Sequence, residues 1–116
     1  MRKPAPLPVI APRKDQPNVL PLEGEIDLHV SPAVAAVLGK MIEKRPNKVV
    51  VDLSSVSYLD SSGLAVLIEG MQKVKDYSGE FALVGLQETV RTIFEIARLD
   101  QVFIIFPHVD AALAAP

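Results

Sequence analysis

Four consecutive residues, Asp60-Ser61-Ser62-Gly63, hold the densest chemistry in this chain. They follow a run of β-branched residues, Val49-Val50-Val51, suited to a strand buried on both faces. They precede Leu64, Leu67, Ile68 and Met71, whose i, i+3, i+4, i+7 spacing predicts a helix. Open α/β sheets carry their sites at such strand ends. The turn admits three readings. As a helix cap, one polar side chain would satisfy orphan N–H groups, with Gly63 allowing close approach. As a nucleophile site, Ser61-Ser62-Gly63 imitates the second half of a strand-to-helix elbow, with Asp100 and His108 following in hydrolase order. Leu59, however, stands where that sharp turn needs glycine. As a phosphoacceptor site, an exposed serine at a helix start would gain roughly −1.5 to −2 charges and three acceptor oxygens. A helix N-terminus tolerates that charge.

The other candidates assemble less. Asp52, directly after the β-branched run, has the place of a phosphoaccepting aspartate. That chemistry needs an acidic pair after the first strand to hold a divalent metal, and only Pro, Val, Ile and Ala stand there. A strand-end carboxylate bonding loop amides is the simpler reading. Asp27 and His29 flank a loop near the carboxyl ends of the strands, but two residues do not make a metal site. No Gly-rich phosphate loop occurs. Without cysteine there is no disulfide, thiolate site or cysteine nucleophile. The residues predict no cofactor, no metal and no catalytic apparatus.

The positioning elements follow from punctuation and periodicity. Five prolines fall within residues 1–17; residues 1–8 are expected to be loose, and Val9-Ile10 to add a short edge strand. Asn18–Leu22 reads as a strand, irregular or edge-bound because of Pro21, and the opening pair could run antiparallel to the rest. Glu23–Asp27 reads as a polar turn. Ser31-Pro32 predicts a helix start, with Ser31 as N-cap and Pro32 in the first turn, running to about Lys44. After the central strand and helix come a strand at Phe81–Val84, a helix at Gln87–Arg98, a strand at Val102–Phe106 and a terminal helix at Asp110–Ala114. This alternation predicts an α/β fold: a small, mixed, mostly parallel sheet of about five strands covered by about four helices, with residues 9–116 as one domain.

The bulk numbers narrow the function. A chain of 116 residues with 49% apolar and 22% charged residues fits one folded domain. A net charge of −2 and 5% aromatic residues offer neither a basic field nor stacking platforms for nucleic acid. Apolar runs are too short for a membrane span, and the N-terminus lacks the apolar stretch of a signal peptide. Cytoplasm is the expected location.

Taken in order, Gly24-Glu25-Ile26-Asp27, then VVVDLSSVSYLDSSGLAVL, then GEFALVG from Gly79 to Gly85 and Val90-x-x-Ile93-Phe94 resemble the STAS family. The match is to its stand-alone bacterial anti-sigma factor antagonists. The resemblance implies a phosphorylation-regulated binding module rather than an enzyme. Unphosphorylated, such an antagonist binds an anti-sigma factor that is often a GHKL-type serine kinase; phosphorylation releases it, and a PP2C-type phosphatase reverses the mark. The phosphoacceptor maps by position to Ser61. Asp27, Asp60, Ser62, Gly63 and Leu64 map to the partner surface. The same pattern occurs in stressosome-like scaffolds and lipid-transport ATPase subunits, in which the turn would dock a partner without being phosphorylated. The small serine hydrolase is the catalytic alternative.

Overall fold

The computed structural model describes residues 9–116; the proline-rich stretch 1–8 lies outside the described residues. Four strands and four helices alternate: β1 (Val19–Ile26), α1 (Ser31–Glu43), β2 (Lys48–Leu59), α2 (Ser61–Asp76), β3 (Glu80–Val84), α3 (Glu88–Ile96), β4 (Ile104–Phe106) and α4 (Val109–Ala114). A short 3₁₀ turn, Leu99–Gln101, separates α3 from β4. The strands form one sheet in the order β1-β2-β3-β4, and each neighbouring pair is parallel. Each connection therefore crosses over through a helix, the economical solution for strands that alternate with helices.

The α/β class stands, and the differences lie at the edges. Val9-Ile10 forms no strand, and the described residues contain four strands rather than about five. No antiparallel opening pair exists among them, because β1 pairs with β2 in parallel. As an edge strand, β1 can hold Pro21 without breaking the sheet's interior. It also continues through Glu23-Gly24-Glu25, which reads as a turn by composition, because β2 is long enough to pair with it as far as Leu59.

β2 is the central element. Val19 pairs with Val50 and Ile26 with Leu59, so eight residues of β1 face ten of β2. The register slips twice, once between Pro21 and Glu23 and once between Gly24 and Glu25. Each slip leaves an extra β2 residue and re-aims those that follow it. Leu53, Val56 and Leu59 are consequently all buried although they are three apart.

The sheet's two faces are covered unequally. Leu20, Leu22, Val49, Val51, Leu53, Phe81 and Leu83 join Val34 and Leu38 of α1, Leu67 and Met71 of α2, and Val90 and Phe94 of α3 in the main core. The alternate residues Val19, Val50, Ala82 and Val84 pack with Val109 and Ala112 of α4 in a smaller cluster. Asp52, one step along from Val51, is also buried. Its Oδ2 pairs with the Arg13 guanidinium at 3.3 Å, and its Oδ1 accepts from the Ser54 N–H at 2.9 Å. Asp52 thus ties down the segment before β1, from within a strand rather than from its end.

Candidate functional site

The turn between β2 and α2 lies against the end of β1. The Asp60 N–H donates to the Ile26 carbonyl at 3.2 Å, and α2 starts at Ser61. Asp60 is the N-cap, in extended conformation (φ −92°, ψ −173°). Its Oδ1 accepts from the N–H groups of Ser62 (2.9 Å) and Gly63 (3.1 Å) and from the Ser62 hydroxyl. Its Oδ2 accepts from the Leu28 N–H at 3.2 Å. One carboxylate therefore caps the helix with one oxygen and holds a second loop with the other. The Ser62 hydroxyl, followed by the Gly63 N–H, lowers the Asp60 pKa below its ordinary value of 3.8 by favouring the charged form.

Gly63 is required by space. A Cβ on it would lie 2.8 Å from the Ile26 carbonyl oxygen and 2.9 Å from Leu59 Cδ2. Only glycine lets α2 begin this close to the sheet.

The second loop carries Asp27. Its Oδ1 accepts from the N–H groups of His29 (3.0 Å) and Val30 (3.2 Å), and its carbonyl accepts from the Ser31 N–H at 2.8 Å. Asp27 thus holds the turn leading into α1, whose N-cap position is Val30, and Ser31 does not cap the helix as expected. The chain is already helical at Val30 (φ −97°, ψ −32°), so Ser31 falls inside α1, with Pro32 beside it in the first turn. Freed from capping, the buried Ser31 hydroxyl lies 2.7 Å from Ser62 Oγ and 2.7 Å from the Asp27 carbonyl. Two hydroxyl protons serve three contacts. The Asp60 carboxylate can only accept, and a charged acceptor makes the stronger bond. Ser62 therefore donates to Asp60, and the one Ser31 proton is shared between the Asp27 carbonyl, which can likewise only accept, and Ser62 Oγ.

The structure brings Asp27, Asp60, Ser62 and Gly63 into one bonded cluster and places Ser61 at its edge, exposed on the first residue of α2. Ser62 is half-buried and bonded; Ser61 is not among the hydroxyls of the network. Leu64 is half-buried and leans against the main core, so its role is partly packing. Two residues escaped the sequence reading. Ser31 was legible only as a cap, because its bond to Ser62 spans 31 positions. Leu28 carried one signal: a leucine between Asp27 and His29, off any periodic pattern.

His108 is not brought to Ser61. It caps α4, where its Nδ1 accepts from the Ala111 N–H at 3.2 Å, on the sheet face opposite α2. The hydrolase arrangement is therefore not assembled. No group of three His, Asp or Glu side chains able to hold a metal ion occurs among the described residues. No helix among them is long and apolar enough to cross a membrane.

A parallel sheet with this β2–turn–α2 unit, read with the sequence, defines the class. Residues 9–112 match the STAS domain family, and the chain belongs to it. The curated relative RsfB of Mycobacterium tuberculosis, an anti-sigma-F factor antagonist, is 33% identical over 95 residues, which cover 82% of this chain and 77% of that one. The anti-sigma-B factor antagonist of Listeria monocytogenes is 33% identical over 79 residues, 68% of this chain and 69% of its own. Among solved structures, an anti-sigma factor antagonist from Mycobacterium paratuberculosis superposes with a TM-score of 0.75 at 33% identity, covering 82% of this chain and 80% of that one.

Proposed function

We propose that this protein is an anti-sigma factor antagonist whose binding is switched off by phosphorylation of Ser61. The partner is an anti-sigma factor of the GHKL serine-kinase type, met in the cytoplasm, and a PP2C-type phosphatase restores the binding form. The protein itself is a binding module without catalysis. The observation that carries this reading is the division of labour between two adjacent serines. Ser62 spends its hydroxyl on the Asp60–Ser31 chain, whereas Ser61 is exposed on the first residue of α2, where a kinase can reach it.

A phosphate on Ser61 would sit beside the Asp60 carboxylate and place two anionic groups on the contact surface at the helix start. The cap is already made by Asp60, so the fold has no need of the Ser61 hydroxyl and can carry the modification unchanged. The partner surface is formed by Asp27, Asp60, Ser62 and Leu64 together with the exposed Ser61, and the buried Gly63 shapes the turn beneath them.

The test is twofold. Phosphopeptide analysis of the protein from its native cells should place phosphate on Ser61. Ser61→Asp should release the anti-sigma factor while Ser61→Ala retains it. Equal retention by both variants would instead fit a constitutive docking subunit, and phosphate on Ser62 alone would sink the assignment of the acceptor.

A further inference from the structure

Leu28 is an apolar side chain left 73% exposed in the loop that the Asp60 carboxylate holds. Other large apolar residues are exposed too. Val9 stands before β1, Tyr58 on β2 two residues before Asp60, Ile96 at the end of α3, Val102 and Ile104 at or beside β4, and Leu113 on α4. Leu28 differs in being fixed to the candidate site. Its N–H donates to Asp60 Oδ2 at 3.2 Å, and the residues on either side are bound as well. Asp27 accepts from His29 and Val30, and Ser31, just beyond, lies against Ser62.

We propose that Leu28 is the apolar anchor by which the anti-sigma factor grips this domain. On this reading the partner reads a two-part surface, the Leu28 loop and the start of α2, and inserts Leu28 into an apolar pocket beside the residue that contacts Ser61. The inference rests on the function proposed above and adds a recognition residue to it. The physical case is preorganisation. Burying a leucine removes apolar surface from water, and most of the cost of association lies in ordering mobile groups. Here the backbone of the knob is already ordered by hydrogen bonds on both sides, so its burial converts to affinity with little entropic loss. The same arrangement makes recognition depend on the folded domain, because the Leu28 loop and the start of α2 are brought together by the β1–β2 pairing, the Asp60 carboxylate and the Ser31–Ser62 contact.

The experiment uses the full chain, tagged at its own locus in native cells, as the parent and as Leu28→Ala, Leu28→Met and Ser61→Asp. Co-purified proteins are quantified by mass spectrometry, together with the phosphate occupancy of Ser61. The Leu28→Ala variant should lose about tenfold or more of a co-purifying GHKL-type anti-sigma factor and show lower Ser61 occupancy. Leu28→Met, which keeps an apolar knob of similar size, should retain at least half of both. Because Leu28 is outside the core, the melting temperature of the alanine variant should match the parent's. Retention of the partner by Leu28→Ala within twofold of the parent overturns the anchor. Retention by Ser61→Asp alone overturns the phosphorylation switch and leaves the anchor to be judged by its alanine and methionine pair. If the parent itself brings down no such anti-sigma factor, both fall.

Discussion

At the scale of single residues, the site is organised by one carboxylate with four donors. Asp60 accepts from Ser62 twice, from Gly63 and from Leu28. Each bond favours the ionised form, and together they outweigh the opposing effect of desolvation. With the native pKa below the unfolded value, the charged carboxylate adds stability above its ordinary value of 3.8, and that contribution is lost as pH falls through the native pKa. The Ser62 hydroxyl is the largest cause, so Ser62→Ala should move the Asp60 midpoint up toward its ordinary value. A carbon-detected NMR titration of the side-chain carboxyl reads this directly; an unmoved midpoint would assign the depression to the backbone donors instead. Gly63 offers a second test. In Gly63→Ala the methyl meets the rigid Ile26 carbonyl as well as Leu59, and a carbonyl in a strand cannot swing away. Overpacking of this kind costs about 1–3 kcal/mol. Urea denaturation should show it as a lower midpoint with an unchanged slope.

At the scale of elements, β2 decides the geometry. Had it been regular beyond Leu53, residues 55, 57 and 59 would have pointed inward; the two register slips turn Val56 inward instead and leave Ser55 and Ser57 exposed. Val56→Ala should therefore lower stability measurably, whereas Ser57→Ala should stay within about 0.5 kcal/mol of the parent, as surface substitutions do. Thermal unfolding of the pair distinguishes the slipped register from a regular one, which would reverse the order. The same slips mark the limit of what the sequence disclosed. The run Val49-Val50-Val51 announces a buried strand, and the 3.6-residue repeats of α1, α2 and α3 announce their inward faces. The segment Ser54–Tyr58 shows neither a period of two nor one of 3.6, because its burial repeats every three residues. Gly24 and Pro21 likewise suggested interruption where the long partner strand enforces pairing. The Asp60 cap was readable because capping is local chemistry. The Ser31–Ser62 contact and the Asp60–Leu28 bond were not, since each joins residues about thirty positions apart that meet only when β1 and β2 align.

At the scale of the whole molecule, the imbalance between the sheet's two faces sets where the fold opens first. Three helices cover one face with the main core, while the six-residue α4 covers part of the other. So short a helix has little stability of its own and depends on its tertiary contacts. Val109 and Ala112 supply apolar contact, His108 caps the N-terminus, and Lys48 holds the C-terminus. Its Nζ donates to the carbonyls of Ala112 (2.8 Å) and Ala115 (2.7 Å) while pairing with Glu80 at 3.4 Å. A cation at a helix C-terminus satisfies orphan carbonyls and opposes the negative end of the dipole. Lys48→Met keeps the apolar stem and removes this clamp. Amide exchange at Ala112–Ala114 should then accelerate about tenfold or more, while the amides of α2 and β3 keep their protection, because the main core does not rest on α4. Uniform acceleration throughout would mean that α4 opens only with the whole domain. Unchanged exchange would mean that Val109 and Ala112 suffice to hold it. The expected pattern separates two functions in space: the end of the sheet that carries Ser61 and Leu28 stays rigid, and the local opening is confined to the opposite face.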